Sequence, residues 1–178
     1  MQAHTARWFG VVTLLVIVAI SFIDRMNIAL MVGYGLSAFV LTPFCATLLG
    51  VRRSLILGLI LWGGVTLISP TFDSYAMLLL SRVLLGVSEG PLFGLASSYI
   101  KAYFEGHENG KPNSLVNMGT GLGLAIGMPL ISSLIAMLDW QGSFHVLGLI
   151  NLLIGLPLVL ACIHMSKLAL YQQRPNSI

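Results

Sequence analysis

The sequence predicts an all-α integral membrane protein of about six transmembrane helices, and three observations predict it. First, hydrophobic residues make up 57% of the 178 and charged residues only 8%, with a mean hydropathy of +0.93. A soluble domain carries roughly 25% charged residues and could not cover its surface with so few. Second, the apolar residues form long runs, each near the roughly 20 residues that cross a bilayer as a helix. Third, the basic residues outside those runs fall into alternate breaks between them, as the positive-inside rule requires.

The spans follow in chain order. The first covers residues 8–30 and is preceded by His4 and Arg7. That start superficially resembles a signal peptide, but no small-residue cleavage site leads into a polar mature region, and apolar runs continue to Met165, so it reads as a membrane span. The second covers residues 31–50. Between them an apolar run must reverse direction near 24–35 without a polar loop, and Gly33 and Gly35 offer low-strain turning points. The third covers residues 54–69 and the fourth residues 75–103. The fourth exceeds the hydrocarbon thickness and must tilt or emerge at its Lys101 end, and Pro91 inside it predicts a kink. The polar stretch Glu105–Asn113 has loop composition. The fifth and sixth spans cover residues 114–138 and 144–165. Strands are excluded because the alternating pattern of a closed barrel is absent.

Orientation comes from Lys and Arg. Arg7, Arg52, Arg53, Lys101, Lys111, Lys167 and Arg174 all lie on one side if six spans are threaded, whereas the opposite breaks carry Asp73 and Asp139 and no basic residue. Both termini are therefore expected on the cytoplasmic side of the cell (inner or plasma) membrane. Dispersed in this way, the net charge of +3 gives no reason to expect a nucleic-acid partner. Cys45 and Cys162 lie in apolar runs and read as packing residues. The four histidines are scattered, and no metal or cofactor is expected.

Four ionisable groups remain near or inside the spans: Asp24, Arg25, Arg82 and Glu89. A charge at the bilayer centre costs at least ~2.5–3.5 kcal/mol, so each needs a cavity or a partner. Arg82 and Glu89 are seven residues apart, close to two helical turns, which places both on one helix face about 10 Å apart. A permanently charged cation beside a titratable acid is what an anion–proton symporter needs. The competing reading is a buried ion pair, such as Arg82 with Asp24, that only locks two helices together. Gly119, Gly123 and Gly127 recur at four-residue intervals in the fifth span; they offer a substrate no polar group and read as a close-packing face.

The segments Phe22-Ile-Asp-Arg-Met-Asn-Ile28, Gly33-Tyr-Gly-Leu-Ser-Ala-Phe39, Arg82-Val-Leu-Leu-Gly-Val-Ser-Glu-Gly-Pro91 and Trp140-Gln-Gly-Ser-Phe144 resemble the major facilitator superfamily. The resemblance is strongest to its anion:cation symporter branch, which carries sugar acids and other organic anions, and covers only the first six-helix half of a twelve-helix fold. It implies that Arg82 binds a substrate carboxylate with Arg25 in the charge network, and that Glu89 and Asp24 take part in proton coupling. Asn27 matches a polar position of helix 1, or is an interfacial turn residue. The chain departs from the family pattern after the second span, where Thr47 stands at the usual acid and only Gly50, Arg52 and Arg53 remain. It also lacks the polar loop between the first two spans; either a loop segment is lost, or Asp24 and Arg25 lie at the outer interface.

The resulting expectation is a truncated or half-size transporter of organic anions with protons, inactive until a second six-helix half, a separate chain or a homodimer mate, completes the site. The alternative is a six-span structural or regulatory membrane protein whose charges serve packing. An enzyme is not expected, since no nucleophile–base pair, metal site or nucleotide loop is present.

Overall fold

A computed structural model describes residues 2–23 and 28–163, with side chains described from Arg7 to Ser21 and from Gly33 to Ile163. The described residues are helical and contain no strand. The helices are α1 (Gln2–Ile23), α2 (Ile28–Leu48), α3 (Val51–Ile68), α4 (Tyr75–Glu89), α5 (Leu92–Tyr103), α6 (Gly110–Ile150) and α7 (Leu156–Cys162). Short 3-10 turns follow α3 and precede α6, and a π-helical turn at Asn151–Gly155 joins α6 to α7. Three stretches are long and apolar enough to cross a membrane: Val51–Thr71, Tyr75–Tyr103 and Gly106–Cys162. Arg7–Ser21 and Gly33–Leu48 are shorter apolar helices among the described residues.

The longest of these stretches is not one rod. Asp139 has φ 59° and ψ 177° inside α6, a conformation that breaks a helix and that glycine alone adopts easily. The leg before it packs on α1, where Gly119 faces Leu15 and Val18. The leg after it runs back along α3: Gly148 meets Leu67, Gly63 meets Leu152, and Gly155 meets Leu59. The sequence suggests a loop from Asp139 to Ser143; the chain instead turns at a single residue, and Trp140 already begins the next helical leg.

Two other local features follow from proline. Pro91 has no N–H and its ring crowds the carbonyl four residues back, so the expected fourth span divides into α4 and α5. Pro157 does the same for the carbonyl of Leu153, and the π turn sits there, widening the helix ahead of the ring. The glycines Gly33 and Gly35 are not turning points. Both lie inside α2, where Gly33 lets the helix approach the Val83 carbonyl of α4. Gly50 is the only positive-φ glycine among the described residues, at φ 80°, and it makes the tight α2–α3 turn. The link at residues 24–27 lies outside the described residues.

The buried core joins Val11, Leu14 and Ile17 of α1 to Leu59 of α3 and Leu95 and Ile100 of α5. The exterior is apolar as well. Phe39 is 87% exposed, Met137 80% and Leu153 69%, which suits a surface facing lipid or another apolar partner and not water.

The ends of the bundle differ in charge. Arg7 Nη1 donates to the Tyr103 carbonyl at 3.3 Å, lies 3.4 Å from the Glu108 carboxylate and sits 4.7 Å over the Phe104 ring. Arg52 Nη2 donates to the Leu160 carbonyl at 3.0 Å. Both guanidiniums thus meet the C-terminal ends of helices α5 and α7, where helix dipoles favour cations. At the opposite end Gln141 reaches the Pro70 carbonyl, bringing the turns that hold Asp73 and Asp139 together. Lys167 and Arg174 lie outside the described residues.

Candidate functional site

The site is built on α4. Arg82 lies at its middle and its last residue is Glu89. Glu89 is 2% exposed. The Ser21 hydroxyl of α1 donates to Glu89 Oε2 at 2.9 Å, a bond strengthened when the acceptor is ionised. The acid is therefore held at the α1–α4 contact, immediately before the Pro91 break. Ser21 carries no sequence motif; its signal is a lone hydroxyl in the apolar run just before Asp24.

Arg82 is half-buried. Its guanidinium carbon lies 4.2 Å above the Phe144 ring centroid, well inside the range of a cation–π contact. Phe144 belongs to the second leg of α6, and Trp140 meets it edge-on with ring centroids 6.2 Å apart. Arg82 is thus placed beside an aromatic pair from the segment after Asp139. The side chains of Asp24 and Arg25 lie outside the described residues, so the structure speaks only for the α4 members of the predicted constellation.

Close helix approach fixes where these side chains point. Ser37 of α2 donates to the Tyr34 carbonyl at 3.1 Å and to the Gly86 carbonyl of α4 at 3.2 Å. A side chain on Gly90 would strike Ser37 and the Tyr34 carbonyl, and one on Gly94 would strike Thr42. Gly86, Gly90 and Gly94 recur every four residues, so α2 lies flat along one side of α4 and α5. That leaves Arg82 and Glu89 to other faces. The Gly119, Gly123 and Gly127 stripe is buried along α6, and a Cβ on Gly119 would lie 2.6 Å from the Leu15 carbonyl of α1. At Gly119 the stripe therefore abuts backbone, which suits packing.

A second buried polar group escapes sequence reasoning. Asn151 is 1% exposed and donates through Nδ2 to the Leu59 carbonyl at 3.3 Å. It opens the π turn, and its signal is a single amide in an apolar run. Among the described residues no group of His, Cys, Asp and Glu has the arrangement to hold a metal ion.

An apolar bundle with a buried acid and a basic end is a general membrane architecture; the family comparison makes it specific. The family model described as Major Facilitator Superfamily matches residues 5–176. This chain belongs to that superfamily. No curated protein matches it. Membership makes the chain a membrane protein of a secondary-transporter family, and gives the α4 charges a setting in which intramembrane ionisable groups are functional by default.

Proposed function

We propose that the chain forms one six-helix wall of an organic-anion:proton symporter. Arg82 attracts the anion's carboxylate through its planar two-pronged fork, and Glu89 carries the coupled proton. Arg25 and Asp24 complete the charge network on the α1 side. The observation that carries this reading is the burial of Glu89 against Ser21 on the same helix as Arg82. An acid withdrawn from solvent and held at a helix–helix contact changes that contact when it gains or loses a proton. That is the event a proton-coupled transporter must convert into movement.

A second six-helix unit supplies the opposite wall. The basic end of the bundle faces the cytoplasm of the cell in which the membrane lies, by the positive-inside rule. Reporter fusions at Ile178 and in the Asp73 turn should report on opposite sides; the same side for both overturns that topology.

The test of function is uptake into proteoliposomes holding this unit with a completing second half, with and without a pH gradient. Arg82→Lys should weaken organic-anion binding, since the charge remains but the bidentate geometry is lost. Glu89→Gln should abolish gradient-driven accumulation while leaving anion exchange measurable. The Ser21–Glu89 bond also favours a packing role for the acid. Under that reading, exchanging Arg82 and Glu89 is tolerated and both single variants keep gradient-driven uptake.

A further inference from the structure

Arg82 leans on the second leg of α6, with its guanidinium carbon 4.2 Å over the Phe144 ring centroid. We propose that Phe144 is the positioning residue for Arg82: its electron-rich ring face holds the guanidinium where an anion's carboxylate meets it. The inference rests on the reading of Arg82 as the anion-binding residue and adds the group that sets it. A long arginine side chain must be ordered before both prongs of its fork close on a carboxylate, and ordering it at the moment of binding lowers affinity. A ring that already attracts the cation orders it in advance.

The kind of contact decides what it can do. A guanidinium is planar, with its N–H donors spread in the plane. A carboxylate takes it edge-on through two parallel N–H bonds. An aromatic ring attracts the cation through its quadrupole, and a separation of 4.2 Å suits stacking on the flat face. Phe144 can therefore share Arg82 with an incoming carboxylate, whereas a carboxylate of the protein would compete for the same prongs. The ring is itself held. Trp140 lies about one helical turn earlier and meets it at 79° with centroids 6.2 Å apart. Both belong to the leg that starts at the Asp139 turn. In the first turn of that leg the Ser143 hydroxyl donates to the Asp139 carbonyl at 2.7 Å, and further along it Gly148 meets Leu67 of α3. These anchors do not depend on Arg82, as is required of a group that positions another.

The test uses the full chain in phosphatidylcholine nanodiscs with nitrogen-15-labelled arginine. Acetate is the probe, replacing chloride at constant ionic strength. The Arg82 guanidinium signal is identified by its loss in Arg82→Lys, and its shift with acetate should saturate in the unmodified chain. Replacing Phe144 by 3,4,5-trifluorophenylalanine keeps the ring's shape but removes the negative charge of its face. It should weaken acetate binding at Arg82 about fivefold, the scale of ordering one side chain. Phe144→Leu should weaken it comparably, and Phe144→Tyr, which keeps the face, should bind as the unmodified chain does. Packing alone predicts another split, with loss in Phe144→Leu and none in the fluorinated chain. Unchanged binding in the fluorinated chain, or an equal loss in Phe144→Tyr, overturns the inference and leaves the symport reading standing. Absence of a saturable shift in the unmodified chain overturns the anion-binding role of Arg82 and this inference with it. If Phe144→Leu is not recovered folded, the fluorinated and tyrosine chains decide it.

Discussion

Substitution of Gly119 by alanine measures how closely α1 and α6 are pressed together. The added Cβ would lie 2.6 Å from the Leu15 carbonyl oxygen and 3.2 Å from Val18, against at least 3.4 Å for ordinary contact. The nearest atom is backbone, so no side-chain rotation can relieve the clash. The helices must instead separate locally by about 0.8 Å, the difference between those distances. A gap of roughly 0.5–1 Å forfeits a quarter to a half of each dispersion contact, and each is worth about 0.1–0.2 kcal/mol. Over the few tens of atom pairs at one helix crossing this comes to about 1–3 kcal/mol, the usual range for an overpacked site. Gly121, two residues on, has nothing within 4 Å of its virtual Cβ, so Gly121→Ala is the matched control and should cost nothing. Reversible unfolding in mixed micelles, followed by helical circular dichroism, gives both values. Equal midpoints for Gly119→Ala and Gly121→Ala would refute the close α1–α6 contact and the packing role of the stripe.

Further outcomes follow from other positions and use the same assay unless stated. Asp139→Gly should raise stability by about 1 kcal/mol or more, because φ 59° with ψ 177° costs a non-glycine residue about 1–3 kcal/mol; destabilisation would mean that the aspartate side chain itself holds the turn. Gly50→Ala should lower stability by about 1 kcal/mol, since φ is 80°. Ser21→Ala should cost about 0.5–1.5 kcal/mol through loss of the bond to Glu89, and no loss would show that bond to be idle. Arg52→Gln should speed amide exchange in Leu156–Cys162, because the carbonyl of Leu160 loses its cationic partner.

The legible part of this fold is the part governed by hydropathy and by proline. Long apolar runs become helices because a backbone in lipid must satisfy itself, and Pro91 marks the α4–α5 break from its missing donor alone. The face carrying Gly119, Gly123 and Gly127 is likewise readable, because four-residue spacing fixes it on one side of a helix. The turns are less readable. Gly33 and Gly35 carry the usual glycine signal for a bend, yet Gly33 is used for the absence of a side chain and not for backbone freedom, and only the packing partner, the Val83 carbonyl, reveals which. Asp139 is the opposite case: a residue that rarely combines φ 59° with ψ 177° turns the chain, and the legs on either side have faces to bury on α1 and on α3. The same asymmetry holds at the site. Glu89 and Arg82 stand out because a charge in an apolar run is costly, whereas Ser21 and Phe144 are ordinary residues in such runs and become notable only through what they touch.

The position of Glu89 ties these features to one another. It ends α4, so the break imposed by Pro91 begins where the acid sits. On one side it accepts from Ser21 of α1; on another it walls a cavity that reaches α2 and α3. A continuous helix would resist a change at this point along its whole length, because each backbone bond is held by the next turn. A helix interrupted at Gly90 and Pro91 lacks that restraint, since Pro91 can donate no bond to the turn before it. On the proposed symport reading, loss of the carboxylate's charge would weaken the bond from Ser21 beside this break. The acid thus sits at the one point in the Tyr75–Tyr103 stretch where a small local change in hydrogen bonding is least opposed by the helix that carries it.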